Sequence, residues 1–256
     1  MTGSEVRPAR RRRRWPWVLG ISIVLIGGLL VAAEAAARSI VPGIVRAAVL
    51  TAAHLPASQE LDVEVPGLLV PQLITGRLGE VRLSSDAVTV DGVTGAIDAT
   101  VAGVPLGDGP LGAVKGSLTI GQDSFGQLLK GAAIPVTGVA LQAPDATVQG
   151  EVSVFGRAIP IGLTVTPGIQ DGDVLLTPVS ASLAGAQVDL QRLAATLGGL
   201  GQTLAAPQRL CIADRLPKGV TLSGLRVEGR QAVVDFTADG RITVDAALRA
   251  NGSCPR

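Results

Sequence analysis

The chain has 256 residues, of which 47% are hydrophobic, 2% are aromatic and none is tyrosine, and its formal net charge is +1. A chain of this length can bury a sizeable core, and here that core must be aliphatic. The first 14 residues hold six arginines and one glutamate, so the remainder is slightly acidic. This distribution excludes a global basic field of the kind that attracts nucleic acid, and no nucleic-acid partner is expected.

A membrane-crossing segment is predicted directly after the basic tail. Residues 15–33, WPWVLGISIVLIGGLLVAA, carry no charge, and as a helix they would span about 28 Å, close to the hydrocarbon thickness of a bilayer. Trp15 and Trp17 suit the headgroup region, and the preceding arginines orient that end towards the cytoplasm. We therefore predict a cytoplasmic tail at 1–14, a single-pass signal anchor at 15–37 and an extracytoplasmic domain at 38–256.

A cleaved signal peptide is the alternative for this segment. It would share the basic start, and Ala35-Ala36-Ala37 offers a small-residue cleavage site. The apolar stretch is long for a signal-peptide core, which favours the uncleaved anchor. Both interpretations put the rest of the chain outside the cytoplasm, in the bacterial cell envelope or periplasm.

The exported region begins as a helix and continues as strands. Helical spacing predicts a helix over Ser39–Leu55, with Pro42-Gly43 kinking or delaying its start. From Leu61 the apolar period changes to two, which predicts strands at 61–65, 77–90, 95–104, 113–120, 146–155, 159–166, 174–183, 220–228, 232–238 and 241–248. Turn residues Gly229-Arg230 and Asp239-Gly240 are expected to join the last three strands into a meander.

Two further helices interrupt the strand pattern. Residues 124–133 place Phe125, Leu128, Leu129 and Ala132 on one helical face, and residues 188–204 carry a leucine-rich face. Strands outnumber helices and no long linker divides the exported region. We predict an α+β fold, with one elongated antiparallel domain and helices packed on one face of its sheet.

The two cysteines, Cys211 and Cys254, both lie in the last fifth of the exported region. An even count outside the cytoplasm predicts a disulfide. The bond would close a loop of about 44 residues and stabilise the fold by about 4 kcal/mol in the loop-entropy model. Two unrelated buried thiols are the alternative, and no metal is expected because two cysteines and the distant His54 fit no zinc-ligand spacing.

Catalytic signatures are absent from the sequence. His54 is the single histidine and has no sequence neighbour that completes a triad, and neither a nucleophile elbow nor a P-loop is present. Gly107–Gly112 matches G-x-G-x-x-G, but an alternating segment follows it, so a glycine-rich hairpin loop is expected instead of a dinucleotide site. We predict a protein without cofactor or catalytic activity. An enzyme acting on envelope glycans or lipids, with two carboxylates facing each other in a cleft, is the weakest alternative.

The most suggestive apolar segment is Pro66–Leu73, PGLLVPQL, in which Leu68, Leu69 and Val70 are contiguous between two prolines. Prolines at this spacing disfavour a central strand and predict a loop or a sheet edge. Such a loop either tucks over the core or forms a membrane-touching tip. Burial of three such side chains in lipid is worth roughly 1.5–3 kcal/mol each, enough for weak, reversible membrane contact.

The same segment carries a family resemblance. Pro66–Arg77, PGLLVPQLITGR, resembles the segment G-F-P-F-L-T-Q-L-L-x-G that opens the LmeA-like phospholipid-binding domain of actinobacterial envelope proteins, and Glu80–Leu83 continues the match. Cys211–Leu222, CIADRLPKGVTL, resembles the late C-x-x-x-x-L-P-x-G-V-x-L segment of that family, and Cys254 also fits. This chain departs at residues 69–71, where Leu-Val-Pro replaces Phe-Leu-Thr, so any lipid contact of those aromatics in relatives is altered here.

The resemblance implies an extracytoplasmic domain that binds phospholipid or glycolipid in a hydrophobic groove. The implied fold is a curved antiparallel sheet wrapped on a long helix, similar to half of a bactericidal/permeability-increasing-type tubular lipid-binding domain. In mycobacteria the family is tied to elongation of mannan lipoglycans, which points to a role in envelope lipid or lipoglycan assembly. The alternative is a non-catalytic envelope scaffold with a filled core. Apolar contacts to lipid are expected from Leu68, Leu69, Val70, Leu73, Ile74, Leu128 and Leu129, and phosphate pairing from Arg77 or Arg82.

Overall fold

A computed structural model of the chain describes residues 15–52, 55–90, 93–124, 136–154, 157–188, 190, 192 and 205–254. The fold is α+β, with one long amino-terminal helix followed by curved antiparallel sheets, as predicted. The described helices are α1 (Trp15–Ala52), α2 (Leu69–Thr75) and α3 (Ala246–Arg249), with 3-10 turns at Ala213–Arg215 and Gly240–Thr243. The strands are β1 (Asp62–Glu64), β2 (Arg77–Val90), β3 (Val93–Pro105), β4 (Val114–Gly121), β5 (Val136–Gln142), β6 (Asp145–Val154), β7 (Arg157–Gln170), β8 (Asp173–Leu183), β9 (Ala186–Val188), β10 (Gln208–Leu210), β11 (Val220–Glu228) and β12 (Gln231–Ala238).

Helix α1 is continuous over 38 residues, with Pro42 inside it. The predicted span and the predicted helix at 39–55 are therefore one element of about 57 Å, and Pro42-Gly43 does not delay the start of the second part. An internal proline costs about 3 kcal/mol because it removes one backbone hydrogen bond and crowds the preceding turn. Burial offsets this cost here, since Ala37 and Val41 lie in the core and Val45 packs against it.

The strands form two antiparallel sheets. The first sheet has the order β1-β2-β3-β4-β12-β11, and the second has the order β10-β8-β7-β6-β5, with β9 added beside β8. The period-2 segments predicted at 77–90 and 220–228 match β2 and β11 residue for residue. Strands β5, β9 and β10 were not predicted, because two of them are only three residues long and β5 is irregular between Val136 and Gly138.

Two buried clusters hold these elements together. In the first, Ala37 and Val41 of α1 and Leu69 of α2 pack on Leu78 and Val81 of β2. The second joins the sheets, because Leu141, Ala146 and Val165 of the second sheet pack against Val227 and Ala232 of the first. Two hydrogen bonds support this junction, from the Leu141 amide to the Gln122 side chain (3.0 Å) and from the Ala143 amide to the Gly229 carbonyl (3.3 Å).

The carboxy-terminal half of α1 runs beside β2. Glu34 contacts α2, which directly precedes β2, and Arg46 donates to the Gln59 carbonyl at 2.5 Å. The side-chain amide of Gln59 in turn donates to the Ala87 carbonyl, near the far end of β2, at 2.7 Å. The start of β2 therefore lies beside the end of the uncharged stretch of α1, and the junction between the sheets lies away from it.

The predicted strand at 241–248 is wrong, so the expected meander reduces to the β11–β12 hairpin. Residues 240–243 form a 3-10 turn and α3 follows at Ala246. The side chain of Asp239 accepts a hydrogen bond from the Arg241 amide (2.9 Å), and that of Asp245 accepts one from the Ala247 amide (2.8 Å). Two aspartates in helix-capping positions outweigh the short apolar alternation between them.

The predicted disulfide is confirmed between Cys211 and Cys254, whose Cα atoms are 5.8 Å apart. It ties the end of the chain to the connection between β10 and β11. Asn251 supports the same attachment, since its side-chain amide donates to the Asp214 carbonyl at 2.9 Å and its backbone bridges to Pro217.

The glycine-rich segment Gly107–Gly112 is a loop between β3 and β4, as expected, and not the start of a helix. The Leu111 amide donates to the Gly240 carbonyl at 2.9 Å. A Cβ atom on Gly240 would lie 2.0 Å from the Leu111 carbonyl oxygen, so only glycine permits this close approach of the two turns. The predicted helices at 124–133 and 188–204, with Leu128 and Leu129, and His54 lie outside the described residues, apart from the ends of those helices.

Candidate functional site

The strand register of the first sheet separates an apolar face from a largely polar one. Residues paired across neighbouring strands point to the same side, and the side alternates along each strand. The polar side carries Arg82, Ser84, Asp98, Thr100, Lys115, Ser117, Thr119, Arg226, Asp235 and Thr237 together with Ala96 and Val233. The other side, hereafter the first apolar face, is apolar apart from Ser85 and consists of Val63, Val81, Leu83, Ser85, Val88, Gly95, Ile97, Ala99, Val101, Val114, Gly116, Leu118, Ile120, Val220, Leu222, Leu225, Val227, Ala232, Val234, Phe236 and Ala238.

The second sheet has the same two-sided character. Its polar side carries hydrogen-bonded side chains such as the Thr147–Thr164 pair, whose hydroxyl oxygens are 2.9 Å apart. The other side, hereafter the second apolar face, has no polar side chain among the described residues of β5 to β8. Its members are Val139, Leu141, Ala146, Val148, Gly150, Ile159, Ile161, Leu163, Val165, Pro167, Ile169, Val174, Leu176, Pro178 and Ala181.

The two apolar faces meet at the junction of the sheets. Val227 and Ala232 belong to the first apolar face, and Leu141, Ala146 and Val165, which pack against them, belong to the second. The first apolar face is also buried at its α1 end, at Val81 and Val101. Half-buried members include Leu83, Ile97, Leu118, Val234 and Phe236 on the first face and Ile159 and Ile161 on the second. The result is one aliphatic lining whose side chains are buried at the junction and at the α1 end and mostly half-buried elsewhere.

Only residues 66–68 of the segment Pro66–Leu73 form the loop that its prolines predicted, because helix α2 begins at Leu69. Pro71 lies in the first turn of this helix, where an amide hydrogen has no intrahelical partner and proline is tolerated. Gly76 ends the helix with φ of 71°, a left-handed conformation that suits glycine, and its amide bonds the carbonyls of Gln72 and Leu73.

The aliphatic side chains of this segment divide into two groups. Leu69 is 1% exposed and belongs to the core beside Leu78 and Val81, as the tucked interpretation predicted. Leu68 is 61% exposed and Ile74 is 79% exposed. Leu73 is also exposed, while Val70 is half-buried. The segment is thus anchored by one leucine and presents the others to its surroundings.

Glu34, which sequence reasoning missed, joins α1 to α2. Its two carboxylate oxygens each accept one backbone hydrogen bond, from the amides of Leu69 and Val70, both at 3.0 Å. Arg38, one turn further along α1, donates to the same carboxylate at 3.0 Å. The carboxylate of one helix therefore satisfies the free amides that begin another. The signal in the sequence was the first charge after 19 uncharged residues.

A groove lies between α1 and α2. Its volume is about 600 Å³, in the range of small-molecule sites. Only Glu34 and Arg38 among its lining residues are charged, and the apolar walls are formed by Leu30, Val31, Ala35, Leu68, Val70 and Pro71. Leu30 and Val31 belong to the uncharged stretch of α1, so the groove straddles the end of that stretch.

The two arginines proposed for phosphate contact lie elsewhere. Arg77 donates through one terminal nitrogen to the carbonyls of Gly103 (2.8 Å) and Pro110 (3.3 Å), and so braces the loop after β3. Arg82 is on the polar side of the first sheet and pairs with Glu80 at 2.8 Å. A role of Arg77 in lipid contact remains a prediction, whereas Arg38 is the cation that borders the apolar groove.

A second cavity, of about 580 Å³, lies on the polar side of the first sheet. Two of its carboxylates, Asp98 and Asp235, are aligned across the sheet with Ser117 between them. Asp235 is ion-paired with Arg226, and strand β4 lies between it and Asp98. Within the described part of the chain, no group of three histidine, cysteine or acidic residues could hold a metal ion.

A comparison with known protein families identifies the family of the chain. The model of the LmeA-like phospholipid-binding family matches residues 32–237 of the chain. The chain belongs to the LmeA-like phospholipid-binding family. None of the curated proteins and none of the solved structures that were compared with the chain matches it. The matched range begins two residues before Glu34 and ends in β12, so it includes both sheets, the junction between them and every lining residue of the groove except Leu30 and Val31.

The structure explains why the LmeA-like motif has its form. Gln72, at the glutamine position of the motif, donates to the Pro66 carbonyl at 3.0 Å and accepts from the Gly79 amide at 2.8 Å. It therefore fixes α2 to both the preceding segment and β2. The motif glycine, Gly76, ends the helix, and Leu69 enters the core. The segment therefore forms the short helix α2 between the long helix α1 and strand β2 of the first sheet.

Proposed function

We propose that this protein is a membrane-anchored, extracytoplasmic phospholipid-binding protein of the bacterial cell envelope, which holds acyl chains against its two apolar faces. The observation that carries the proposal is the continuous aliphatic lining, which is buried at the sheet junction and at its α1 end and mostly half-buried elsewhere. Burial of hydrocarbon contributes about 0.8 kcal/mol per methylene, so eight methylenes contribute about 6 kcal/mol without any reactive group. The role is binding, with transfer between membranes as one use of it, and not catalysis.

The anchor is part of the proposal. Helix α1 is long and apolar enough to cross a bilayer, and the arginine-rich tail orients its start towards the cytoplasm. Cleavage after Ala37 would remove Glu34, the partner of the Leu69 and Val70 amides, and would cut α1 within the core. This dependence of α2 on residues before the cleavage site favours an uncleaved anchor at 15–37, with residues 1–14 in the cytoplasm and 38–256 outside.

The proposal includes a role in the assembly of envelope lipids or lipoglycans. It also includes a glycolipid ligand, since any lipid with an acyl chain offers hydrocarbon that the two apolar faces would cover. The family match supports a phospholipid in particular. A non-catalytic scaffold with a filled interior is the competing outcome. It predicts that the purified full chain carries no lipid.

A matched pair of substitutions on β4 tests the proposal. Leu118 is on the first apolar face, and Thr119 is on the polar side of the same strand. The full chain is purified in mild detergent, and its extracted phospholipid is quantified by mass spectrometry. We expect Leu118→Asn to retain at least fivefold less phospholipid than the wild type and Thr119→Asn to retain the wild-type amount. A wild-type chain that is folded and free of lipid would overturn the proposal.

A further inference from the structure

We propose that the groove between α1 and α2 is a lateral portal, through which one acyl chain of a phospholipid passes from the outer leaflet to the apolar faces. This inference rests on the proposed function and adds the place where lipid enters. The occupant to which it commits is a diacyl phospholipid of the bilayer that α1 crosses.

The position of the groove relative to the anchor is the first argument. Leu30 and Val31 belong to the uncharged stretch at 15–33, and both are exposed. Ala35 lies one turn above Val31, and Glu34 and Arg38 are the first charges after the stretch. One wall of the groove therefore begins within the hydrocarbon layer and ends at the level where headgroups begin.

The second argument is that one buried cluster extends from the groove to the first apolar face. The wall of the groove opposite α1 consists of Leu68, Val70 and Pro71, which flank the buried Leu69. Leu69 belongs to the same cluster as Val81, and Val81 is a member of the first apolar face. An acyl chain that passes from the groove to the apolar faces would therefore displace side chains of this cluster, of which Leu69 lies next to the groove.

The third argument is the charge at the rim. The Arg38 side chain is 61% exposed, and its Nε donates to Glu34 at 3.0 Å. A guanidinium held by a carboxylate at the headgroup level presents hydrogen-bond donors where lipid phosphates lie. Glu34 also positions α2 through the two backbone amides that it accepts, so it keeps the far wall of the groove in place. An apolar slot with a cation at its outer edge matches a phospholipid, whose tail is apolar and whose headgroup carries a phosphate.

A pair of tryptophan substitutions within the membrane-crossing part of α1 tests the portal. Leu30 lines the groove, whereas Leu25 is equally part of the exposed apolar surface but does not line it. The full chain is reconstituted into nanodiscs that contain phosphatidylglycerol with a photoreactive diazirine in one acyl chain. Samples are illuminated after increasing delays, and labelled peptides from β4 and β12 are quantified by mass spectrometry.

We expect Leu30→Trp to slow labelling of β4 and β12 at least fivefold and Leu25→Trp to leave the wild-type rate. Val70→Trp, which fills the groove from the opposite wall, should slow labelling similarly, provided that its thermal unfolding midpoint equals that of the wild type. Otherwise the result rests on Leu30→Trp alone. Wild-type labelling rates in Leu30→Trp would overturn the portal and leave lipid binding intact. A wild-type chain whose β4 and β12 are never labelled would overturn both proposals.

Discussion

At the scale of single residues, Glu34 links the long apolar helix α1 to the rest of the fold. Its carboxylate accepts hydrogen bonds from two backbone amides of another helix and from one guanidinium of its own helix. A carboxylate at the edge of an apolar span looks in the sequence like the start of a polar surface. Only the fold brings α2 to it, because the two partners are 35 and 36 residues away along the chain. Sequence reasoning had no means to predict this contact.

We expect Glu34→Ala to loosen the start of α2 without unfolding the sheets. Loss of a capping carboxylate costs about 0.5–2 kcal/mol, which corresponds to an opening equilibrium about twofold to thirtyfold more favourable. Hydrogen–deuterium exchange at the Leu69 and Val70 amides measures this opening directly. Glu80→Ala is the matched control, since Glu80 pairs with Arg82 and does not contact α2. Unchanged protection of both amides in Glu34→Ala would contradict the role given to Glu34.

Asp239 gives a pH-dependent prediction at the same scale. The Arg241 guanidinium and the Arg241 backbone amide hold the pKa of Asp239 at about 2, below its ordinary range. Because the folded-state pKa is lowered, its stabilising effect is complete above about pH 4 and is lost as the pH falls towards 2. The free energy of unfolding of the wild type should exceed that of Asp239→Asn at pH 6, and the difference should shrink between pH 4 and pH 2.

Denaturant unfolding at a series of pH values measures that difference. Asparagine keeps an oxygen that accepts the Arg241 amide, so the pair isolates the effect of the charge from that of the cap. The other carboxylates titrate in both proteins and cancel in the comparison. A difference that grows on acidification would show that the ion pair is not what lowers the pKa.

At the scale of elements, the alternation of apolar residues predicted the long strands correctly but missed the short helices α2 and α3. Strands β2 and β11 alternate strictly and have their predicted bounds, because one face of each lies on an apolar interior and the other on a polar surface. The segment at 241–248 also alternates, but capping aspartates turn it into helical turns. In α2, Pro71 disfavours a strand as predicted, but proline is also tolerated in the first turn of a helix, and the pattern alone does not distinguish that helix from a loop.

The candidate site was predictable to a similar degree. The sequence predicted one apolar segment that contains Leu68, Leu69, Val70, Leu73 and Ile74, but which of them are buried depends on the side of α2 that each occupies. That assignment needs the contact with α1, which pairs residues distant in sequence. The alternation within each strand predicted its apolar side. The contact between the two apolar faces depends on the register of two sheets that meet at β11 and β12.

The two neighbouring leucines at the start of α2 should therefore respond differently to truncation. Leu69→Ala leaves a cavity in a closed core and should reduce the free energy of unfolding by about 2–5 kcal/mol. Leu68→Ala removes an exposed side chain and should change it by less than about 0.5 kcal/mol. Guanidinium unfolding of both full-length variants in the same mild detergent measures the difference. Equal effects would mean that α2 is not packed as described.

At the scale of the whole molecule, one helix is long and apolar enough to cross a bilayer and also contributes to the core. Its uncharged half lies before Glu34, and its second half packs beside β2, so the sheets are held close to the end of the uncharged half. The disulfide fixes the other end of the chain near β11. This arrangement connects the proposed source of lipid at the bilayer, the groove beside α2 and the apolar faces in one continuous structure.

Native mass spectrometry of the full chain tests lipid binding by the apolar faces most directly. The chain is purified from its own membranes, and detergent is removed by gentle activation in the gas phase. The account predicts a population heavier than the polypeptide by the mass of one phospholipid, which is strongly reduced in Leu118→Asn and unchanged in Thr119→Asn. A folded chain that shows only the polypeptide mass, at every activation energy at which detergent has left, would contradict it.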